Sequence, residues 1–296
     1  MSQQHELRIL LADNQAGSTN PIAIAARNCD LIGDQTFGSD PGRRGSRQNF
    51  ACGARVLKEE VTGGFNFYPT ALQLDWLIQR MIGNSIATFP DAACTPLETL
   101  PPIYAFVDKG HQNFRYDLLH INTVKFSIRE GDYVDVRVDF IGSSETQAVS
   151  WPATPPNIDC ASEFVASDTV LDLAGTAYPF KTVDFTIENA IAAQQHENAL
   201  VRSIFESEDF RTYIDATLGF RSDTVALYRQ GVAGGAAFLR FADGTRTYTF
   251  TFANAKIPGR GPTVPDSGEV TMNLRIDLMA TQSGATVTPQ VSIAKL

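Results

Sequence analysis

Val134-Asp135-Val136-Arg137-Val138-Asp139-Phe140 and Met272-Asn273-Leu274-Arg275-Ile276-Asp277-Leu278 read in register with each other. In both, apolar and polar residues alternate, the period of a strand with one buried face, and the polar face carries the same Arg-x-Asp step. Working outward, each stretch has a second strand-like run upstream, 123–129 in the first half and 245–253 in the second. Further upstream, Asp75-Trp76-Leu77-Ile78-Gln79-Arg80-Met81-Ile82-Gly83 lines up with Asp223-Thr224-Val225-Ala226-Leu227-Tyr228-Arg229-Gln230-Gly231. One strand–helix–strand–strand plan used twice predicts two like modules, and repeated modules build assemblies more often than active sites. The expected fold class is mainly β (α+β), with two tandem modules of antiparallel strands and one helix in each.

The 296 residues suffice for two domains of roughly 140 residues. The expected division is 1–150, a Pro-rich linker at 151–158, and 159–296. Three prolines in Trp151-Pro152-Ala153-Thr154-Pro155-Pro156-Asn157 would hold the modules at a set distance. Hydrophobic content of 43% against 19% charged is that of a folded chain. A net charge of -9 argues against general affinity for nucleic-acid phosphates and suits a surface past which DNA slides without sticking. No apolar run approaches the roughly 20 residues that span a bilayer, so no membrane insertion is expected. The first residues carry no pattern of a secretory signal, and synthesis in the cytoplasm is the expectation.

Along the chain, residues 33–49 combine Gly33, Gly38, Pro41, Gly42 and Gly45 with Arg43, Arg44 and Arg47. That density of glycine and proline predicts a long exposed loop: either a mobile surface loop or an arm that orders against a neighbouring subunit. Residues 50–68 suit strands interrupted at Gly63-Gly64. Pro69-Thr70 opens a helix to about Ile82, with Leu72, Trp76, Ile78 or Gln79, and Ile82 on one face and Gly83 as the stop. A loop over 84–102 precedes a strand at 103–107 and a second strand ending near Asp117. Val124, Phe126 and Ile128 then form one side of a hairpin that turns at Glu130-Gly131-Asp132. In the second half, strands are expected over 183–187, 210–220, 236–241, 270–278 and 287–293. A helix capped by Ser222 or Asp223 ends near Gly231, and Tyr248, Phe250 and Phe252 share one strand face.

The search for chemistry finds no enzyme signature. Glu59-Glu60, Asp135 with Asp139, and Glu206/Glu208/Asp209 are the visible carboxylate groups, and alternation explains Asp135 and Asp139 as a solvated strand face. Gly231-Val232-Ala233-Gly234-Gly235 follows a helix instead of opening one, the wrong order for phosphate capture. Cys29, Cys52, Cys94 and Cys160 form no CxxC pair, and His5, His111, His120 and His196 have no zinc-ligand spacing. No catalytic residue, metal or cofactor is expected. Tyr248, Phe250 and Phe252 read as a core stripe before a stacking platform.

Several segments, taken in order, carry a resemblance. Gly45-Ser46-Arg47-Gln48-Asn49-Phe50 leads to Gly63-Gly64-Phe65-Asn66-Phe67 and the helix ending Met81-Ile82-Gly83. The hairpin Asn122-Thr123-Val124-Lys125-Phe126-Ser127-Ile128 to Asp135-Val136-Arg137-Val138-Asp139-Phe140-Ile141-Gly142 follows. Val183-Asp184-Phe185-Thr186-Ile187-Glu188-Asn189 then opens the second module. From about Cys29 to Ile293 the chain resembles the tail tube proteins of long-tailed bacteriophages, of the duplicated type. The resemblance implies tail-tube-type β-sandwich modules whose sheets join around a ring, rings stacked into the conduit for DNA ejection, and no enzymatic activity. It implies the chain itself as partner, in a trimeric pseudo-hexamer favoured over a hexamer. Tape measure protein and tail terminator are the further partners, and DNA transits without specific binding. The location is the virion tail, assembled in the host bacterial cytoplasm. Asp135, Asp139 and Asp277, tempered by Arg137 and Arg275, are the candidates for the lumen wall; the alternative is that this face meets outside solvent or a neighbour. Arg43, Arg44 and Arg47 are the candidates for an inter-ring arm. Other readings are a contractile-system inner tube, a gene transfer agent tube, a tail terminator and, from another class, a carbohydrate-binding β-sandwich.

Overall fold

A computed structural model describes residues 7–38, 55–83, 100–153, 155–159, 161–191, 199–201, 205, 209–222, 224–225, 227, 235–257, 262, 269–283 and 286–295. The first half contains β1 (Leu7–Ala12), β2 (Ile22–Ala26), β3 (Asn28–Cys29), β4 (Ile32–Gly38) and β5 (Arg55–Phe67). After them come α1 (Ala71–Met81), β6 (Ile103–Asp108), β7 (Asn113–Arg129), β8 (Asp135–Gly142) and β9 (Ser144–Gln147). The second half contains β10 (Thr169–Leu173), β11 (Thr176–Tyr178), β12 (Phe180–Glu188), β13 (Arg211–Gly219) and β14 (Gly235–Ala242). It continues through β15 (Thr247–Lys256), β16 (Thr271–Met279), β17 (Thr281–Ser283), β18 (Thr286–Thr288) and β19 (Ser292–Lys295). The protein is mainly β, as the alternation predicts, with a large antiparallel sheet.

Strand pairing follows one plan in both halves. In the first, β2–β1–β6–β7–β9 form a flanking layer, and β4–β5–β8 rejoin β7 in a second layer. In the second, β11–β10–β14–β15–β19 flank, and β12–β13–β16 rejoin β15. The strand that serves both layers is long for a reason. β7 runs for 17 residues and passes from one layer to the other where Leu118 takes φ 51°. It is one bent strand, whereas the sequence pattern suggested two strands with a break after Asp117. The pairing also shifts the internal alignment: Thr247 to Phe252 lie against β14 as Asn113 to Leu119 lie against β6. The run at 245–253 therefore matches the first part of β7, not 123–129.

The halves join edge to edge. β12 pairs with β7 from Thr182↔Arg129 to Glu188↔Thr123, so β4–β5–β8–β7–β12–β13–β16–β15 is one continuous antiparallel run. Beneath it lies a single hydrophobic core drawn from both halves. Its centre is aromatic: the Phe126 ring of the first half lies 5.7 Å from each of Phe185, Phe241 and Phe250 of the second, stacked on Phe185 and edge-on to Phe250. Such pairs contribute about 0.5–1.5 kcal/mol beyond burial of their area. The segment read as a linker packs on the first half, with Arg8 over the Trp151 ring at 5.6 Å and bonded to the Pro156 carbonyl.

α1 starts at a capping box. Thr70 accepts from Gln73 N–H, and the Gln73 side chain accepts from Thr70 N–H. Its buried face includes Leu74, Trp76, Leu77, Ile78 and Met81, whereas Leu72, expected on that face, is 53% exposed. The helix also ties the halves together: Tyr248 Oη donates to Asp75 at 2.7 Å, and Lys295 Nζ donates to the other Asp75 oxygen at 2.5 Å.

Three further expectations are corrected. Residues 33–38 belong to β4 instead of a loop, because an edge strand bonded on one side tolerates Gly33 and Gly38. Gly63-Gly64 does not interrupt β5. Gly63 takes φ +104° with the Asp30 carbonyl where a Cβ would stand, and a Cβ on Gly64 would lie 1.9 Å from the Val138 carbonyl oxygen, so Gly64 lets β5 and β8 approach closely. Residues 287–293 are not one closing strand: β18 turns back on β17, and β19 alone pairs with β15. Arg43, Arg44 and Arg47 lie outside the described residues, as do most of the second expected helix and Cys52, Cys94 and Cys160.

Candidate functional site

The eight-strand run has one apolar and one polar face because its side chains alternate with period 2. Val136, Val138 and Phe140 point into the core, as do Met272, Leu274, Ile276 and Leu278. Asp135, Arg137 and Asp139 therefore share the opposite face with Arg275 and Asp277, as the Arg-x-Asp steps predict. Between them stand β7, β12 and β13. Four strand spacings of about 4.8 Å set the two steps roughly 19 Å apart.

The polar face is a lattice of ion pairs. Arg137 bonds Asp139 at 2.7 Å and Asp30 at 2.8 Å, and reaches the Asn66 amide oxygen at 3.2 Å. Arg27 lies 3.4 Å from Asp135. Lys125 faces Arg137 across the β7–β8 pair and turns instead to Asp184 on β12, at 3.0 Å, which puts an ion pair across the seam. Arg275 lies 3.4 Å from Asp215 and 3.3 Å from Asp277, with its guanidinium 3.8 Å over the Tyr213 ring. Tyr213 Oη in turn donates to Glu188 at 2.9 Å. Burial pushes the Tyr213 hydroxyl pKa up, and the Glu188 carboxylate adds to the effect. Burial also raises Asp30, but the bonds from Arg137 and Gly64 N–H outweigh it and hold its carboxyl below the usual aspartate value. For Arg137, burial acts downward, and Asp139 and Asp30 together more than reverse it.

These contacts bring in residues the sequence reading passed over: Asp30, Asn66, Lys125, Asp184, Tyr213 and Asp215. The available signal was their position on polar strand faces, but their partners depend on register. Arg27, Lys125, Arg137 and Arg275 each lie beside at least one carboxylate, which offsets the positive charge they would present to a phosphate. No cluster of His, Cys, Asp and Glu fit to hold a metal exists among the described residues. Tyr248, Phe250 and Phe252 are fully buried, which removes them as a platform for sugars.

Among the described strands, the run ends on each side in a strand with an edge left over. There β4 pairs only with β5, and its Ile32 and Phe37 are 50% and 63% exposed. At the other end, β16 pairs with β13 from Thr271 to Leu278 but with β15 only at Asp277, Leu278 and Met279. Its stretch from Thr271 to Ile276 has no second neighbour among the described strands. A sheet edge without a second neighbour recruits another strand.

A family model described as phage tail tube protein matches residues 8–284. A search of curated proteins found no match. The family match covers nearly the whole chain, through both halves and the seam between them, and the chain belongs to the phage tail tube protein family.

Proposed function

From that membership, we propose that this chain builds the tail tube by closing its eight-strand run, head to tail with other copies, into a ring. The edges are heterologous, β4 on one side and β16 with the end of β15 on the other, so association continues until the curvature closes it. Closure removes both hazardous edges. The observation that carries the reading is the seam: β7 and β12 already make, within one chain, the edge-to-edge joint that the open ends would make between chains.

The shared pairing plan supports two modules per chain, each filling one place in a pseudo-sixfold ring of three chains. Three such runs supply about 24 strands. At a spacing of ~4.8 Å and a tilt of ~40°, they form a barrel with a backbone diameter of about 50 Å. The polar face would line that bore, placing Asp135, Arg137, Asp139, Arg275 and Asp277 at matching heights around the wall. With Arg27, Lys125, Arg137 and Arg275 each beside a carboxylate, such a wall would pass phosphates without holding them. Rings would stack into the conduit for DNA ejection, bounded by tape measure protein inside and a terminator at the end.

Two measurements test this. Native mass spectrometry of isolated rings should give three times the 32.3 kDa chain; a ring of six chains overturns the stoichiometry. Electron microscopy of concentrated protein should show tubes of uniform bore. Charge reversal at Asp135 and Asp277 should slow DNA ejection, and unchanged ejection would count against the lumen assignment.

A further inference from the structure

β4 is the end strand of the continuous run, and its backbone groups alternate in direction. Glu59 of β5 sends its N–H to the Leu200 carbonyl instead of to Gln35, its partner in register. The bonded pairs of the β4–β5 ladder are therefore Ile32 with Thr62, Asp34 with Glu60 and Thr36 with Lys58. Gly33 and Gln35 turn their N–H and C=O groups the other way, along the sheet edge. Side chains already occupy part of that edge. Gly33 N–H donates to Glu145 Oε2 at 3.0 Å. The Leu31 carbonyl, just before it, accepts from Lys109 Nζ at 2.8 Å and from Tyr116 Oη at 3.0 Å.

These three side chains come from the flanking layer: Glu145 from β9, Tyr116 from β7 and Lys109 from the turn between β6 and β7. Each is held in place. Gln147 Nε2 donates to the other Glu145 oxygen at 3.1 Å, and Glu145 N–H donates to the Glu59 carboxylate at 3.3 Å. Lys109 Nζ lies 4.8 Å from the centre of the Phe114 ring and 5.4 Å from that of Tyr116. Burial, and after it the Glu145 carboxylate, push the Tyr116 hydroxyl pKa up, so that it stays a donor. A Cβ on Gly33 would lie 2.6 Å from Glu145 Cβ, so glycine is what leaves room for the carboxylate here.

The second half shows what the same groups do when a strand is present. With Arg137 placed on Arg275, the strand pairs carry Phe65 onto Ile214 and Cys29 onto Phe185. Leu31 and Gly33 then correspond to Ile187 and Asn189. Asn189 N–H donates to the Asn122 carbonyl at 2.8 Å, and Ile187 lies opposite Val124, so there the edge is spent on β7. We propose that Glu145, Lys109 and Tyr116 form a releasable cap on the β4 edge, holding Leu31 and Gly33 until the edge of a second copy takes them over. The inference rests on the ring reading and adds to it a control on closure. A hydrogen bond with a charged partner is roughly twice as strong as a neutral one. The cap therefore holds against a single backbone group and yields where several pair at once, which keeps lone chains apart.

The test measures the lowest concentration at which the full-length chain assembles, by light scattering, with the products identified by native mass spectrometry and electron microscopy. Glu145→Ala combined with Lys109→Met should lower that threshold by about tenfold, the worth of one or two hydrogen bonds. Gly33→Ala, which evicts the Glu145 side chain without removing it, should lower the threshold too. Glu145→Gln keeps an acceptor for Gly33 N–H and should stay near the unaltered value. Amide exchange in the unassembled chain reads the cap without rings: Gly33 N–H should exchange about tenfold faster in Glu145→Ala. A threshold unchanged or raised in variants with unaltered circular dichroism overturns the cap, as does Gly33 exchange indifferent to Glu145. Absence of rings from capped and uncapped chains alike would bring down the ring reading instead.

Discussion

Phe126 is the residue through which the two halves share one core, and its truncation gives the sharpest test of the fold. The ring is 1% exposed and meets Phe185, Phe241 and Phe250, all from the second half, at 5.7 Å. Phe126→Ala removes a buried aromatic side chain and leaves a cavity that the strands of a continuous sheet cannot collapse. A loss of about 3–5 kcal/mol is expected. With a urea slope of ~3 kcal/mol/M, the midpoint should fall by about 1–1.7 M. The assay exploits an asymmetry in the chain: Trp76 belongs to the first half, and Trp151 packs on it against Arg8 and Phe106. Fluorescence therefore reports the first half, while far-UV circular dichroism reports all strands. At concentrations below assembly, both probes should move together, because the β7–β12 seam makes the halves one cooperative unit. Two separated transitions, or a loss below about 1 kcal/mol, would refute the shared core.

Gly64→Ala should destabilise the chain by at least about 2 kcal/mol, because its Cβ would lie 1.9 Å from the Val138 carbonyl oxygen; Gly235→Ala, whose nearest neighbour is 3.6 Å away, should stay within ~0.5 kcal/mol in the same denaturation assay. Asp75→Ala strips the Tyr248 hydroxyl and Lys295 ammonium of a shared carboxylate and should cost about 1–3 kcal/mol, read as a lowered thermal midpoint. Asp30 titrates below its usual value of 3.8, so its pairing with Arg137 stabilises the fold at and above that pH and is lost as pH falls through the lower folded-state value. Asp30→Asn should therefore flatten the acid limb of the stability–pH curve below about pH 4 without steepening it elsewhere, and an unchanged acid limb would refute the assignment.

How much of the fold is legible without coordinates depends on the range of the signal. Strands 103–108, 135–142 and 271–279 follow from alternation, and α1 from its cap, because those signals sit within one element. The polar face of the candidate site follows too: Asp135, Arg137 and Asp139 must lie opposite Val136 and Val138. The partners of these groups do not follow. Asp30 meets Arg137 across 107 positions, and Asp184 meets Lys125 across the seam; sequence spacing carries no information about either. Local pattern also misread β7, where one positive-φ residue, Leu118, bends a strand that composition splits in two.

The sequence by itself determined a mainly β chain with a repeated Arg-x-Asp strand, an acidic balance and the basic segment around Arg43, since each is a property of neighbouring residues. Only the tertiary structure decided that β12 continues the sheet from β7 and that one core serves both halves. It alone placed β4 and β16 with β15 at the two ends of the described run. The physical reason is that a strand's edge is chemically the same all along the backbone. Which edge meets which is settled by the burial of side chains far apart in the chain, and that information appears only once the core is packed.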